Sequence, residues 1–346
     1  MPQLARSLIV LALTCVACGQ TEGDAIGSPP GSDRASVALN ETHGCALRDD
    51  GQTACWGWIY SAFGEGHAEA VFEENPRVVE GLPRGFHALS AWVYGTCGLT
   101  ERSDVWCWGA NSAEEPLVPH EVEQFHGKVQ QLAMGYAHAC LLTHSGEVWC
   151  WGLYPGEIIG KPGFEPIQPP QRVEGFPEPI VELTSGGGWA CALGESGAVY
   201  CWGRAPAELF GAAQGKTALK PTRIDVQTEV TRFGHAGGSL MCIIVGGGEV
   251  RCWGRLDASN YDAPVGDASP LKGVSGAVAV ATTRAEGCAL LDTGDLSCWS
   301  SGQPPTIRAT PRGVTELVSG TDDFCARNAE GVWCWDGLGE ATLLDL

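Results

Sequence analysis

Short apolar segments alternate with turn residues along almost the whole chain, in a pattern that favours strands over long helices. A typical repeat opens with a short apolar segment, such as residues 36–39 (SVAL) or 129–133 (VQQLA), and continues into a hairpin that holds two cysteines. A Trp-Gly pair and a loop of varied length follow, then a segment near a proline, as in residues 76–79 (PRVV) or 221–224 (PTRI). The pattern predicts four strands per repeat.

The repeat occurs seven times when the chain is aligned on the Cys-Trp pair. The intervals between successive tryptophans vary from 36 to 52 residues, which suits a four-stranded propeller blade with variable loops. The last repeat ends in residues 342–346 (TLLDL), so all seven repeats can be complete. We therefore predict an all-β, seven-bladed β-propeller over residues 35–346. The tryptophans, which we expect to pack between blades, are Trp56, Trp108, Trp151, Trp202, Trp253, Trp299 and Trp335.

The hairpin register follows from the spacing of cysteine and glycine. In five repeats the two cysteines are ten residues apart and a glycine follows the first by six: Gly51, Gly146, Gly197, Gly248 and Gly294. Pairing Cys45 with Cys55 leaves a three-residue loop that ends in Gly51, where a left-handed residue is needed and glycine adopts it freely. Ser103 replaces this glycine in the second repeat and predicts a strained or rearranged turn. In the seventh repeat the cysteines are nine apart, which implies a two- or four-residue loop around Ala329 and Glu330.

In an antiparallel strand pair, the Cβ atoms of directly opposed residues are separated by a distance close to that found in disulfide bonds. We therefore predict one intra-hairpin disulfide in each blade, each worth roughly 2–3 kcal/mol in the chain-entropy model. A metal centre would need close-set ligands such as C-x2-C, a spacing found only at Cys15 and Cys18, and free buried thiols are the other alternative. No metal or cofactor is expected. The predicted pairs are Cys45–Cys55, Cys97–Cys107, Cys140–Cys150, Cys191–Cys201, Cys242–Cys252, Cys288–Cys298 and Cys325–Cys334.

Residues 1–17 are typical of an export signal, because Arg6 precedes a short apolar core at residues 8–13 that cannot span a bilayer. Residues 14–19 (TCVACG) resemble a bacterial lipobox, which predicts lipidation of Cys18. Cys15 departs from the usual leucine of that motif, and an ordinary cleaved signal is the alternative. Residues 18–34, rich in Gly, Pro, Ser and acidic side chains, form the predicted flexible tether. The expected location is extracytoplasmic, on the outer membrane or cell surface through the lipid, or otherwise secreted.

Charge narrows the choice of partner. The formal net charge is −20, from 21 Lys and Arg against 41 Asp and Glu, and no basic run occurs. Nucleic-acid binding needs a clustered basic face, so it is not expected. The simplest explanation of the negative charge is that it keeps the protein soluble and monomeric, and the alternative is that it serves to bind a basic partner or, loosely, cations.

The pattern G-x-x-H-x-C-x-L-x-x-x-G-x-V-x-C-W-G, clearest over residues 135–152, resembles the regulator of chromosome condensation repeat. The resemblance extends over about residues 35–346 and implies a seven-bladed propeller. The family's name-giving member exchanges nucleotide on a small GTPase and binds chromatin. Export and the negative charge argue against both roles for this chain. A secreted propeller of similar kind inhibits a β-lactamase through one face, which by analogy makes protein binding the leading class.

Candidate binding residues therefore lie in the long loops, within residues 58–75, 154–179 and 204–220. Their aromatic side chains can form binding hot spots or can pack beneath the loops. An extracytoplasmic hydrolase or lyase with a site at the channel is the alternative function, and nucleotide exchange is the second. His43 and His138 precede repeat cysteines by two, where packing is favoured over a metal pair. The candidate binding aromatics are Trp58, Tyr60, Phe72, Tyr154, Phe164 and Phe210.

Overall fold

The computed structural model describes residues 36–58, 62–64, 71–110, 116–152, 167–204, 217–226, 228–236, 240–254, 270–300, 303–337 and 339–346. These residues form seven sheets that follow one another along the chain. The prediction of an all-β, seven-bladed propeller is confirmed. The export signal, the tether and Cys18 lie outside the described residues and stay predictions. Within the described residues, no helix has the length and apolar character that a membrane crossing requires.

The first four blades are four-stranded meanders, in which each strand pairs with the next. Their strands are β1 (Val37–Leu39), β2 (His43–Leu47), β3 (Thr53–Trp58) and β4 (Phe72–Val78); β5 (Phe86–Trp92), β6 (Gly95–Thr100), β7 (Val105–Ala110) and β8 (Pro116–Glu121); β9 (Val129–Met134), β10 (His138–Thr143), β11 (Val148–Gly152) and β12 (Ile167–Arg172); and β13 (Ile180–Ser185), β14 (Gly188–Gly194), β15 (Val199–Arg204) and β16 (Thr217–Ile224).

The last three blades hold the remaining strands. These are β17 (Val230–Phe233), β18 (His235–Ala236), β19 (Leu240–Val245) and β20 (Glu249–Gly254); β21 (Ala277–Thr282), β22 (Glu286–Leu291), β23 (Leu296–Ser300) and β24 (Thr306–Ile307); and β25 (Glu316–Ser319), β26 (Asp323–Asn328), β27 (Gly331–Asp336) and β28 (Thr342–Leu343).

The fifth and sixth blades depart from four strands each. After Phe233 the chain leaves blade 5, and β18 pairs in parallel with β21 of blade 6. Among the residues that the structure describes, blade 5 therefore has three strands and an isolated bridge between Arg251 and Pro270, and blade 6 has five strands. Gly234 permits the crossing, because a Cβ there would lie 2.7 Å from Cγ1 of Val280. Predicting four strands in every repeat was wrong at this one junction.

The central hairpin of every blade has the predicted register. The two cysteines face each other across the strand pair, with Cα atoms 4.0–4.1 Å apart, and each pair forms a disulfide. The predicted cysteine pair within each blade is confirmed. In the seventh hairpin Asn328 pairs with Gly331, so Ala329 and Glu330 form a two-residue loop.

The hairpin turns confirm the role of the repeated glycine. Gly51, Gly146, Gly197, Gly248 and Gly294 all have φ between 72° and 81°. Ser103 adopts φ 65° in the second blade and is the one non-glycine residue with a positive φ in the part of the chain described. That backbone region costs an ordinary residue about 1 kcal/mol or more, so the predicted strain is present.

Each pair of neighbouring blades shares a cluster of buried side chains. In every cluster the disulfide of one blade meets the tryptophan of the next, which confirms that these tryptophans pack between blades. The combinations are Cys45–Cys55 with Trp108, Cys97–Cys107 with Trp151, Cys140–Cys150 with Trp202, Cys191–Cys201 with Trp253, Cys242–Cys252 with Trp299, Cys288–Cys298 with Trp335, and Cys325–Cys334 with Trp56. The last combination closes the ring with the same contact as the other six.

The outermost strands form the rim and carry prolines. Pro76 lies in β4, Pro119 in β8, Pro170 in β12 and Pro221 in β16. Proline has no N–H to donate, so it suits an edge strand and discourages pairing with another sheet. The prolines that marked the fourth segment of the repeats thus protect exposed sheet edges.

Candidate functional site

The first strand of every blade lies at the centre of the ring, and together these strands enclose a channel. Its lining includes many apolar side chains, such as Leu132, Leu183 and Leu317. Glu182, Arg232, His235 and Glu316 also line the channel and supply its ionisable side chains.

One position of the inner strand links neighbouring blades. Gln131 in blade 3 accepts a hydrogen bond from the backbone N–H of Leu183 (2.8 Å) and donates one to its carbonyl (2.9 Å). At the equivalent position of blade 4, Glu182 accepts from the N–H of Phe233 at 3.1 Å. Glu316 of blade 7 accepts from the N–H of Val37 at 2.9 Å. We call these three side chains the interblade latches, because each one spans the boundary to the next blade.

The Glu316 latch lies at the seam where the ring closes. Its side chain is buried and also accepts a hydrogen bond from the Ser36 hydroxyl. Burial raises the pKa of Glu316, while the hydrogen bonds from Ser36 and Val37 and the charge of Arg327 oppose that rise. Across the same seam, Arg327 donates to the carbonyl of Leu47 at 2.5 Å. Blade 7 is therefore bound to blade 1 by polar contacts as well as by the shared apolar cluster.

The channel opens at the face where the first strand of each blade turns into the second. We call this the mouth face, and the opposite one, which carries the cysteine hairpin turns, the hairpin face. The opening is bordered by Glu41, Tyr136, Arg204 and Arg284. In the four-stranded meander blades, the third strand also ends at the mouth face and the fourth begins there.

Tyr136 has the features of a binding anchor. Its side chain is 50% exposed although its backbone is fixed to both neighbouring blades. Its carbonyl accepts from the N–H of Val93 at 3.1 Å, and its N–H donates to the carbonyl of Gly186 at 3.1 Å. A large aromatic side chain on a rigid backbone loses little entropy on binding, which is a property of interface hot spots.

A charged pair lies at the same opening. The Arg284 guanidinium donates two hydrogen bonds to the Asp322 carboxylate, one of them from Nε at 2.8 Å. Both side chains are more than half exposed, at 59% and 55%. The backbone holds this pair in place, since the Arg284 N–H donates to the carbonyl of Thr321 at 2.9 Å. The mouth therefore combines an aromatic side chain with both signs of charge.

One histidine and one serine meet at the channel mouth, as a nucleophile and its base would. His235 Nδ1 lies 3.1 Å from the Ser319 hydroxyl. That hydroxyl donates to the carbonyl of Thr282 at 2.9 Å, so His235 must be the donor to Ser319. A general base would have to accept the serine proton, but the Ser319 hydroxyl donates its proton to the Thr282 carbonyl. The two side chains are therefore not arranged as a nucleophile and its base. The contact joins the inner strands of blades 5, 6 and 7.

His43 and His138 both lie at the interfaces between blades, with their side chains buried. His43 Nε2 lies 2.7 Å from the Thr96 hydroxyl of the next blade. His138 Nε2 is buried with no hydrogen-bond partner, because the position equivalent to Thr96 in blade 4 is Ala190. Burial lowers the pKa of His43 to about 3 and that of His138 to about 4, so both are neutral at physiological pH. The two side chains are not brought together.

The predicted binding aromatics fall into two groups. Trp58 and Phe72 make an edge-to-face contact in blade 1, with ring centroids 5.4 Å apart. Phe72 is 52% exposed on the outermost strand, away from the channel. Tyr60, Tyr154, Phe164 and Phe210 lie outside the described residues, so whether they bind or pack stays a prediction.

Comparison with known proteins supports the repeat assignment. The sequence pattern of the regulator of chromosome condensation (RCC1) repeat matches residues 129–153, which hold the central hairpin of blade 3. The human E3 ubiquitin-protein ligase HERC2 is 26% identical over 238 residues, which are 64% of this chain and 5% of the ligase. The chain thus spans a small fraction of that relative's length, and it is similar to one part of it only.

Solved structures agree on the fold. Human WBSCR16 superposes with a TM-score of 0.72 at 19% identity, and the match covers 84% of this chain and 85% of that one. Yeast RCC1 (Prp20), solved with Kap60 bound, superposes with a TM-score of 0.70 at 18% identity, over 82% and 78% of the two chains. The chain is therefore a seven-bladed β-propeller that is similar in fold to RCC1 and matches the RCC1 repeat over residues 129–153. The disulfide in each blade indicates an oxidising, extracytoplasmic location.

The residues at the mouth of this propeller were not predicted from the sequence. Tyr136, Arg284 and Asp322 belong to the short turns after the first strands, whereas the predicted binding residues lie in the longest loops. A usable signal was present in the alignment of repeats. The turn before each first cysteine differs from repeat to repeat, with Glu41, Tyr136 and Arg284 in three of them, although the flanking strands are regular. Variation on a regular scaffold marks positions that folding alone does not dictate.

Proposed function

We propose that this propeller is exported, anchored through a lipid on Cys18, and binds a protein partner through its mouth face. The observation that carries the proposal is Tyr136, whose backbone is fixed between two blades while half of its side chain is exposed at the opening. The Arg284–Asp322 pair beside it offers donors and acceptors in a defined orientation. Aromatic side chains and arginine are enriched at the centres of protein interfaces.

Chain direction supports the role of this face. Strand β1 runs toward the mouth, since Leu39 and Asn40 border the opening, so the chain enters the propeller from the hairpin face. A lipid on Cys18 would therefore place the hairpin face toward the membrane and the mouth toward the surroundings. The predicted tether, residues 18–34, would span about 20–25 Å as a flexible coil.

A similar fold serves protein binding elsewhere. The yeast RCC1 (Prp20) structure was solved with Kap60 bound, so a protein with this fold has a protein partner. Nothing about that partner transfers to this chain, because the similarity is in fold alone. For this chain we propose a partner in the envelope or at the cell surface, with no nucleic acid involved.

Two experiments test the two parts of the proposal. Replacing Cys18→Ser should move the protein from the membrane fraction to the soluble fraction, and unchanged membrane retention would refute the anchor. For the binding face, a photo-reactive amino acid is placed at Tyr136 or, as a matched exposed control on the hairpin face, at Glu195. We expect a discrete crosslinked protein from Tyr136 and none from Glu195. Equal crosslinking from both sites, or none from Tyr136, would reject the mouth as the binding surface.

A further inference from the structure

Three metal-ligating side chains converge on the hairpin face of blade 2. His126 Nδ1 lies 2.6 Å from a carboxylate oxygen of Glu121 and 3.0 Å from one of Asp104. All three ligand atoms lie within 4.8 Å of one another. We call this group the blade 2 triad. It lies on the face opposite to the mouth, so it is separate from the surface proposed for partner binding.

The fold itself brings the triad together. Asp104 directly precedes β7, Glu121 is the last residue of β8, and His126 follows the short 3-10 turn Glu123–Phe125. Phe125 anchors that turn, because its ring is 2% exposed and makes an edge-to-face contact with Trp149 at 5.4 Å. The three ligands thus come from a hairpin turn, from the end of a strand and from a short loop that Phe125 anchors.

Further contacts orient Asp104. Its Oδ1 accepts a hydrogen bond from the N–H of Gly127 at 2.8 Å, and its own N–H donates to the Thr100 hydroxyl at 3.1 Å. The Asp104 side chain is 11% exposed, whereas that of His126 is 71% exposed. Outer contacts that hold a ligand in position are typical of metal sites, where they contribute to affinity. A partly buried carboxylate at the base and an accessible imidazole above it leave an entry path for an ion.

We propose that the blade 2 triad binds a divalent transition-metal ion, with Zn²⁺ as the favoured ion. One imidazole nitrogen and two carboxylate oxygens are a donor set that Zn²⁺ accepts, and three protein ligands leave a fourth position for water. Ligands around a tetrahedral Zn²⁺ at about 2.0–2.2 Å lie roughly 3.3 Å from one another. The present separations of 2.6 and 3.0 Å need to widen by less than 1 Å, which the exposed His126 can accommodate.

Calorimetric titration of the full mature chain with ZnCl₂ at pH 7.5, after chelator treatment and gel filtration, tests the proposal. We expect one site per chain, with the affinity weakened at least about tenfold in His126→Ala. His120→Ala is the matched control, since His120 is an exposed histidine of β8 whose ring contacts the Val118 carbonyl and which is not part of the triad. His120→Ala should bind Zn²⁺ as the unaltered chain does.

A second measurement locates the ion. Anomalous diffraction at the zinc edge should show a peak between Asp104, Glu121 and His126 in crystals grown with Zn²⁺. Absence of titratable binding, equal binding by His126→Ala, or an anomalous peak elsewhere would each overturn the assignment. Because His126 is exposed and the disulfides are distant in sequence, His126→Ala should fold normally, which circular dichroism verifies in the same preparation.

Discussion

Glu316 offers a direct test of how the ring is closed. Replacing Glu316→Ala removes the acceptor for the Val37 N–H and for the Ser36 hydroxyl at the seam between blades 7 and 1. A buried donor left without a partner costs about 1–3 kcal/mol, and the lost side chain leaves a small cavity in addition. We expect Glu316→Ala to lower the free energy of unfolding by about 2–4 kcal/mol.

Glu316→Gln should behave differently, because blade 3 already uses glutamine at the equivalent position. Gln131 accepts from the Leu183 N–H through its amide oxygen, so a glutamine at 316 can accept from Val37 in the same way. The substitution also removes a group that is costly to ionise in the folded state. Glu316→Gln should therefore change stability by less than about 1 kcal/mol at pH 4.5.

The pH dependence separates the two effects. Burial raises the pKa of Glu316 in the folded protein above that of the unfolded chain. The folded state then binds the proton more tightly, so this group's stabilisation is complete below the unfolded pKa of about 4.3 and is lost as the pH rises through the folded value. Relative to the unaltered chain, Glu316→Gln should gain stability between pH 4.5 and pH 8.

Guanidinium unfolding at pH 4.5 and at pH 7.5, with disulfides kept oxidised, measures these differences. Glu330→Gln is the control for a simple change of net charge, because Glu330 is exposed in a hairpin turn of the same blade. The explanation fails if Glu316→Gln destabilises as much as Glu316→Ala. It also fails if the stability difference between Glu316→Gln and the unaltered chain is the same at both pH values.

Four further substitutions test the repeat positions at which one blade differs from the others. Ser103→Gly should raise the free energy of unfolding by about 0.5–1 kcal/mol, because it relieves a positive φ at the cost of one exposed hydrogen bond to His144. The reverse change, Gly51→Ser, should destabilise by about 1 kcal/mol, since a Cβ there meets nothing closer than 3.8 Å and only the backbone is strained. Ala190→Ser should raise the free energy of unfolding by about 1 kcal/mol, because the serine hydroxyl supplies the missing partner of His138 Nε2. Thr96→Ala should lower the free energy of unfolding by about 1–3 kcal/mol, because it leaves His43 Nε2 unpaired. Thermal unfolding of all four variants measures these changes, and a stabilising Gly51→Ser or a neutral Thr96→Ala would contradict the reasoning.

The predictable parts of the fold are those in which a residue type has a single structural role, such as cysteine in a disulfide or glycine at a positive φ. A cysteine pair ten residues apart with glycine at a fixed offset permits a single hairpin register, so the centre of each blade followed directly. Ser103 was recognisable as a strained position for the same reason. The crossing of β18 into blade 6 was not predictable, because it depends on how closely Gly234 approaches Val280, and those residues are 46 positions apart.

The proposed binding surface was harder to predict, because its residues come together only when the ring closes. Tyr136 and Arg284 belong to different repeats and meet only because all first-to-second-strand turns lie around one opening. The blade 2 triad has the same character, since Asp104, Glu121 and His126 follow no compact ligand spacing. The sequence does not mark the interblade latches Gln131, Glu182 and Glu316, because their partners are backbone groups of the next blade that only the folded ring brings close.

The disulfides stabilise the individual hairpins, whereas the latches stabilise the contacts between neighbouring blades. Each disulfide closes a loop of about eleven residues within one hairpin, so it restrains the unfolded blade but cannot by itself join one blade to the next. Joining depends on the clusters in which each disulfide meets the following tryptophan, and on the polar latches. At the seam these noncovalent contacts have no help from chain connectivity, because blades 7 and 1 lie at opposite ends of the repeats. Glu316 and Trp56 therefore hold together two blades that no connecting segment joins, unlike the residues at the other blade boundaries. The ring of blades therefore stays closed only while the contacts at that seam hold.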